Sequence, residues 1–229
     1  MALVSRPLAD PSAHRGVRVI AAALLVLALA GSAEALDVDV GPYRQAAQAK
    51  QVGVVAGRVY AESAKPRGPV RPLPGATVLL LPRSGALLTS LQRFKEDARG
   101  SAKAFAAAAP AMRRAQEAYE RELVVAGAPD LASRVAAASD GAFRIAEVPA
   151  GDWLVLVWHS TPASVSPTKA RGREQHTYQL PGRTTGFQAV VVWLREVTVV
   201  EGETVSIELT DRNEWFRGVI EEKTLDAGR

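Results

Sequence analysis

Residues 139–155 read Ser-Asp-Gly-Ala-Phe-Arg-Ile-Ala-Glu-Val-Pro-Ala-Gly-Asp-Trp-Leu-Val, and they contain the most specific fold signal of the chain. Asp140-Gly141 is a tight-turn signal that reverses the chain between two strands. Phe143 and Ile145 alternate with more polar residues, so their side chains point to one face. A proline and a glycine then turn the chain again, and Trp153 enters the same core. The stretch therefore predicts paired strands that bury one common face.

Further strand signals lie on both sides of this stretch. The seven predicted strands cover residues 52–60, 76–81, 134–138, 142–146, 153–158, 187–200 and 204–209. They are rich in β-branched residues or alternate between apolar and polar residues. The segment 153–158 is apolar on both faces, which is typical of a central strand. Seven short strands predict a mainly β protein, an antiparallel β-sandwich whose domain covers residues 52–210.

Glycine and proline modify two parts of this sandwich. Gly53 and Gly57 lie within the first predicted strand, which indicates a bulge or the close approach of another backbone. Residues 61–75 contain four prolines. Because proline has no N–H to donate to a ladder, this segment is predicted to be a loop.

The period of the sequence changes over residues 84–128, between the second and third predicted strands. Apolar residues recur there every three or four positions, which predicts an amphipathic helical insertion. They are Leu87, Leu91, Phe94, Ala98, Ala102 and Phe105, followed by Met112, Ala115, Tyr119 and Leu123. Gly100-Ser101 and Pro110 both weaken continuity, so a hairpin of two helices at Pro110 is favoured over one kinked helix. The insertion is either a cap on the sandwich or a partner-binding arm with an apolar side.

Three pieces of the chain, in order, resemble the carboxypeptidase regulatory-like domain. They are residues 57–60 with 73–78, residues 139–145 running into 148–155, and residues 199–209. The middle piece is the most specific, because Asp-Gly-x-Phe-x-Ile-x-x-Val-Pro-Ala-Gly-x-aromatic is the usual centre of that family. The resemblance implies a prealbumin-like, transthyretin-type β-sandwich, which is found in many secreted bacterial proteins. The helical insertion and a long polar loop at 160–186 depart from the family.

The first 35 residues predict an export signal. Three arginines precede a twelve-residue apolar run at 19–30, and Ala33-Glu34-Ala35 follows. These are the parts of a secretory signal peptide, and the run is shorter than the roughly 20 residues that span a bilayer. We expect cleavage after Ala35, a periplasmic or extracellular location, and a polar lead at 36–51. The alternative is an uncleaved signal, which would be the protein's one association with a membrane.

Composition excludes several classes of function. The chain has 229 residues, is 48% hydrophobic and contains no cysteine. These values exclude a wholly disordered chain, disulfide bonds, thiol catalysis and metal sites built from cysteine. Without residues 1–35, which hold three basic and two acidic side chains, the formal totals of 28 and 24 become 25 and 22. This near balance argues against nucleic acid as a partner.

Few side chains beyond the signal are suited to chemistry. His159 and His176 are the two histidines there, and they lack the spacing of a metal motif. A metal site that joins them through a carboxylate would need the loop at 160–186 to fold back. The simpler interpretation of His159 is a strand-end histidine that is hydrogen-bonded to a loop. We therefore expect no cofactor and no catalytic site.

Two surface features remain as candidates for binding. Arg171 and Arg173 belong to a basic cluster in the loop 160–186, which suits an anionic glycan or phosphate and is equally typical of a solvated loop. Trp215 and Phe216 lie in a polar C-terminal tail at 211–229. They form either an exposed aromatic pair or a pair packed against the sandwich edge. The other three tryptophans beyond the signal lie in apolar strands, where burial in the core is expected.

Two hypotheses of function follow from these observations. The first is a non-catalytic exported envelope module for protein–protein contact or structural support, with an envelope protein as its partner. The second is a carbohydrate-binding module with a glycan as its partner. The candidate contact residues are His159, His176, Arg171, Arg173, Trp215 and Phe216.

Overall fold

The computed structural model describes residues 36–63, 68–163 and 184–223, whose strands form two sheets. The helices are α1 (Gly41–Gln48), α2 (Gly85–Asp97) and α3 (Ala102–Val125), and a 3₁₀ helix spans Pro129–Leu131. The strands are β1 (Val52–Ala61), β2 (Arg71–Pro72), β3 (Thr77–Pro82), β4 (Ser133–Ala136), β5 (Ala142–Pro149), β6 (Gly151–Ala163), β7 (Thr184–Val199), β8 (Thr204–Thr210) and β9 (Phe216–Lys223). The chain is therefore mainly β, as predicted. In this described part, no helix is both long and apolar enough to cross a membrane.

The first sheet is built around β1. One edge of β1 pairs antiparallel with β5 and then with the short β2. The Val59 N–H donates to the Gly141 carbonyl at 2.8 Å, and the Val59 carbonyl accepts from the Leu73 N–H at 2.9 Å. The N–H and the carbonyl of Val59 point to the same side of β1. β2 therefore pairs with the same edge of β1 as β5 does, beyond the last residue that pairs with β5.

The other edge of β1 pairs with β8, and this pair is parallel. It comprises seven register pairs, from Val54↔Thr204 to Tyr60↔Thr210. The chain reaches this edge from the second sheet, and the Val54 N–H donates to the Glu203 carbonyl at 2.9 Å. Since β8 begins beside the beginning of β1, the two strands run in the same direction. The remaining strand pairs of the described residues are antiparallel, as the sequence predicts.

The second sheet has the order β4-β3-β6-β7-β9, and all its pairs are antiparallel. Its central strand β6 alternates between two buried faces. Trp153, Val155 and Val157 belong to the core between the sheets. The intervening Leu154, Leu156 and Trp158 belong to a second core, under the helices. The prediction of a central strand that is apolar on both faces is confirmed.

The core between the two sheets contains the side chains that the turn motif predicts. Phe143 and Ile145 of β5 lie there with Trp153 of β6. Gly57 of β1 has no space for a side chain, because an added Cβ would lie 2.2 Å from the Ile207 carbonyl oxygen and 2.7 Å from a ring carbon of Phe143. The close backbone approach predicted for this strand is therefore present at Gly57.

The inserted helices cover the outer face of the second sheet, which makes that sheet the middle of three layers. Leu87 and Leu91 of α2 and Tyr119 of α3 are buried against it. The Tyr119 hydroxyl also donates to the Pro82 carbonyl at 3.0 Å. Of the two predicted roles the structure supports the cap, because the apolar side proposed for a binding arm lies in this core.

The break between the inserted helices differs from the prediction in position. Two helices are present, but they separate at residues 98–101, and Pro110 lies inside α3. The Ser101 hydroxyl accepts from the Ala104 N–H at 3.1 Å and so caps α3. Beyond this cap, Ala109 and Met112 are fully buried against the sheet. Their packing holds α3 together across the proline, whose local cost alone favours a break.

Two strands and one helix occupy segments for which the sequence predicts none. β2 lies in the predicted loop 61–75 and β9 in the predicted tail 211–229, so the described residues contain nine strands, where seven are predicted. A two-residue strand is too short to leave a pattern. Within the predicted lead 36–51, α1 packs on the sandwich through Tyr43, whose ring is 5.0 Å from that of Trp153.

The lead also fixes the start of α2. Asp37 accepts hydrogen bonds from the Ser84 hydroxyl at 2.7 Å and from the Ala86 N–H at 2.8 Å. A carboxylate at this end of a helix satisfies N–H groups that have no partner within the helix. Residues 36–51 are therefore part of the domain and join its two cores.

Leu91→Ala should destabilise the whole protein, because Leu91 is fully buried between α2 and the second sheet. We expect a loss of about 2–5 kcal/mol in the free energy of unfolding, measured by urea denaturation. Leu88→Ala, the same change at a half-buried position of α2, should cost clearly less. Equal and negligible losses in the two variants would show that the helices do not serve as a cap.

Candidate functional site

A cleft of about 270 Å³ opens between α3 and the helix-facing side of the second sheet. Its walls come from α3, β3, β4 and β6. The lining residues are Thr77, Leu79, Arg113, Gln116, Glu117, Arg134 and Trp158. Most of these side chains are polar or charged, although the cleft lies beside an apolar core.

Helix and strand geometry together bring these residues to one place. Gln116 and Glu117 follow Arg113 on α3 by three and four positions, so the three residues lie along one side of the helix. In the sheet, Thr77 pairs directly with Trp158. Leu79, two residues further along β3, pairs with Arg134 of β4. The cleft is thus formed where three neighbouring strands pass under one helix.

A chain of hydrogen bonds fixes one wall of the cleft. The Trp158 indole N–H donates to the Gln116 side-chain oxygen at 2.8 Å. The Gln116 amide N–H donates to Glu120 at 3.0 Å. Glu120 also accepts from Arg134, through both carboxylate oxygens at 3.0 Å. Trp158 and Gln116 are buried, with 5% and 4% of their surfaces exposed, so this wall is held in one arrangement.

The other wall carries two charged groups without such a chain. The Arg113 guanidinium lies over the Trp158 ring, with its central carbon 5.4 Å from the ring centroid. Glu117 is one helical turn further along α3, and both side chains are exposed. Within the described residues the structure gives neither side chain a hydrogen-bond partner. The cleft therefore presents a guanidinium that can donate and a carboxylate that can accept.

Of the predicted site residues, the three that the structure describes, His159, Trp215 and Phe216, do not line this cleft. His159 is on β6 next to Trp158, so its side chain points to the opposite face, towards the first sheet. Burial lowers the pKa of His159, and the positive charge of Arg71 lowers it further. Arg171, Arg173 and His176 lie outside the described residues, and so does most of the predicted loop 160–186. The strands β6 and β7 extend into both ends of that loop.

Trp215 and Phe216 adopt the packed alternative of the two that the sequence leaves open. Phe216 is the first residue of β9, lies in the core under the helices and is 8% exposed. Trp215 is half-buried, and the Lys95 ammonium nitrogen lies 4.7 Å from its ring centroid. An exposed pair is therefore wrong for Phe216, because its strand pairs with β7 and turns this ring towards α3.

The sequence patterns do not indicate the cleft residues. They place Trp158 in the core with Trp153 and Trp193, and all three are indeed buried. One signal was available, because a buried indole N–H needs an acceptor. No periodicity, however, indicates that Gln116 is this acceptor, since the contact joins residues 42 positions apart.

Comparison with known proteins does not name a family. No family model matches this chain, and a search of curated proteins found no match. A provisionally assigned carbohydrate-binding protein of Pseudomonas aeruginosa is similar in structure, with a TM-score of 0.39 and 13% identity over 70% of this chain and 88% of that protein. A minor pilin of Streptococcus agalactiae has a TM-score of 0.29 and 11% identity over 78% of this chain and 48% of the pilin. The resemblance to the carboxypeptidase regulatory-like domain stays a prediction.

His159 should make the stability of the protein depend on pH. Because its native pKa is below the ordinary value of 6.5, the unfolded chain binds more protons in this range. The free energy of unfolding should therefore decrease as the pH falls below that value, and His159→Gln should remove this part of the decrease. Arg71→Gln should make this decrease smaller, because the positive charge of Arg71 contributes to the low pKa of His159. Urea denaturation between about pH 7.5 and pH 5 measures the effect, and identical pH profiles of wild type and His159→Gln would contradict it.

Proposed function

We propose that this chain is a non-catalytic exported envelope module that makes protein–protein contacts or gives structural support. Its sandwich is of the prealbumin-like, carboxypeptidase regulatory-like type. The three family-like pieces of the sequence support this assignment, since they lie at β1 and β3, in the pair β5–β6 and in β8. Phe143 and Trp153 of the middle piece are buried together in the core between the sheets.

One observation carries the proposal of protein contact: the outer face of the first sheet is uncovered. In the part of the chain that the structure describes, both faces of the second sheet are covered. In the first sheet, only the inner face is covered. Its outer face presents Ala56 beside Arg144 and Ser206, and Arg58 beside Glu208. Small side chains at the centre leave this face flat, and the charges around them give it a polar rim of the kind that protein interfaces have.

Carbohydrate binding is the second candidate function, and the cleft beside Trp158 favours it. A few precisely placed polar groups beside an aromatic side chain are typical of small-ligand sites. The two functions use different parts of the molecule. The contact face lies on the first sheet, and the cleft lies on the helix side of the second sheet.

Export is tested by the mass of the intact protein. We expect protein from an exporting bacterial host to begin at Leu36, because small residues at positions 33 and 35 suit the signal peptidase. Full-length protein in the membrane fraction would favour the uncleaved anchor. Full-length protein in the cytosol alone would contradict export.

Protein contact is tested by photo-crosslinking in the native host. A photo-reactive residue replacing Ser206, which is exposed on β8, should capture a defined partner. The same replacement at Arg99, which is exposed after α2, is the matched control and should not. Ala56→Arg should abolish the adduct at position 206, because a long charged side chain would hold the partner away, while the melting temperature stays near that of wild type. Equal capture at both positions, or capture that survives Ala56→Arg, would refute this contact face.

A further inference from the structure

We propose that the cleft beside Trp158 binds a single neutral sugar ring through its hydroxyl groups. This proposal rests on the second candidate function and names the site and the kind of ligand. The aromatic pair Trp215 and Phe216 does not line this cleft.

The volume of the cleft limits the size of the ligand. At about 270 Å³ it is slightly smaller than the sites of roughly 300–1,000 Å³ that enclose drug-sized molecules. One six-membered ring with its hydroxyl groups is of this size, whereas several linked sugars are not. The part of the ligand inside the cleft is therefore one sugar ring, either a monosaccharide or one residue of a glycan.

Arg113 and Glu117, which have no hydrogen-bond partner among the described residues, match the chemistry of a hydroxyl group. Arg113 can only donate hydrogen bonds and the ionised Glu117 can only accept them, while a hydroxyl does both. Two neighbouring hydroxyls on a sugar can therefore accept from Arg113 and donate to Glu117 at the same time. Because these groups lie one helical turn apart on α3, a compact ring can reach both.

The charge balance of the cleft favours a neutral ligand over an anion. Arg134 is paired with Glu120 through both carboxylate oxygens. Arg113 is balanced by Glu117, which lines the same cleft. An anion would meet the Glu117 carboxylate without any excess of positive charge to offset it. A neutral ring meets no such repulsion.

Trp158 gives the ligand a rigid apolar surface to pack on. Its indole is fixed by the hydrogen bond to Gln116, and the face of the ring on the cleft side lies under Arg113. A cation–π contact at an exposed position is weak, so the guanidinium can turn aside and bind hydroxyls. The C–H face of a sugar ring can then pack on the uncovered indole. Only Arg113 has to move, because the remaining wall is already arranged.

The Trp158 indole N–H provides a specific NMR reporter of binding. The indole N–H groups of Trp153 and Trp193 donate to the carbonyls of Pro149 and Thr210, away from the cleft, and serve as internal controls. We would titrate ¹⁵N-labelled protein from an exporting host with methyl glycosides of glucose, galactose, mannose and N-acetylglucosamine. At least one should shift the Trp158 signal to saturation at millimolar concentration and leave the two control signals in place. Trp158→Phe identifies the signal.

Substitutions on α3 separate the site from a general effect of the helix. Arg113→Ala and Glu117→Gln should each weaken binding by about tenfold, since each removes a charged hydrogen-bonding partner. Arg114→Ala removes the same charge from the neighbouring exposed position and should leave the affinity unchanged. Equal weakening by Arg114→Ala would overturn the assignment of Arg113.

Three further outcomes would overturn the proposal. If calorimetry detects sugar binding but the Trp158 signal does not move, the second candidate function stands and this site is wrong. If no sugar of the panel binds by either method, the site and that function both fail. If glucuronate or acetate shifts the Trp158 signal more strongly than any neutral glycoside does, the cleft is an anion site.

Discussion

Strand β6 has to be covered on both faces, and the rest of the fold depends on this constraint. Trp153 and its alternate neighbours need one apolar layer, and Trp158 with its own alternate neighbours needs another. The first sheet supplies one layer, while α2 and α3 supply the second. Each square ångström of apolar surface removed from water contributes roughly 25 cal/mol. Without the insertion, the helix-facing side of the second sheet would lose this contribution.

The polar cleft arises from the same constraint. Each of the three buried tryptophans has an indole N–H that must find an acceptor. Trp153 reaches the carbonyl of the turn before it, and Trp193 reaches the carbonyl of Thr210 across the sandwich. Trp158, which lies under α3, donates to the Gln116 side chain. Through Gln116, the hydrogen bonds continue to Glu120 and Arg134. Trp158 therefore belongs both to an apolar strand and to the polar cleft.

The sequence predicts most of the sandwich but not the site. Alternation over Phe143 and Ile145 and the apolar run around Trp153 depend on local patterns that a periodicity analysis detects. The parallel partner of β1 and the acceptor of Trp158 depend on contacts between residues far apart in the chain, for which local patterns carry no signal. Pro110 shows that distant contacts can also override a local pattern. Proline alone favours the end of a helix, but the packing of its neighbours against the sheet keeps α3 continuous.

The parallel pair of β1 and β8 has a mechanical consequence. β1 is the first strand of the fold, and β8 precedes only β9 among the described strands. A pulling force between the start of β1 and the end of β8 acts along both strands in opposite senses. It therefore loads all seven register pairs at once, in shear, whereas a hairpin pulled from its open end separates one pair at a time. The pair of β1 and β8 therefore resists a force applied at these two points with all of its hydrogen bonds together.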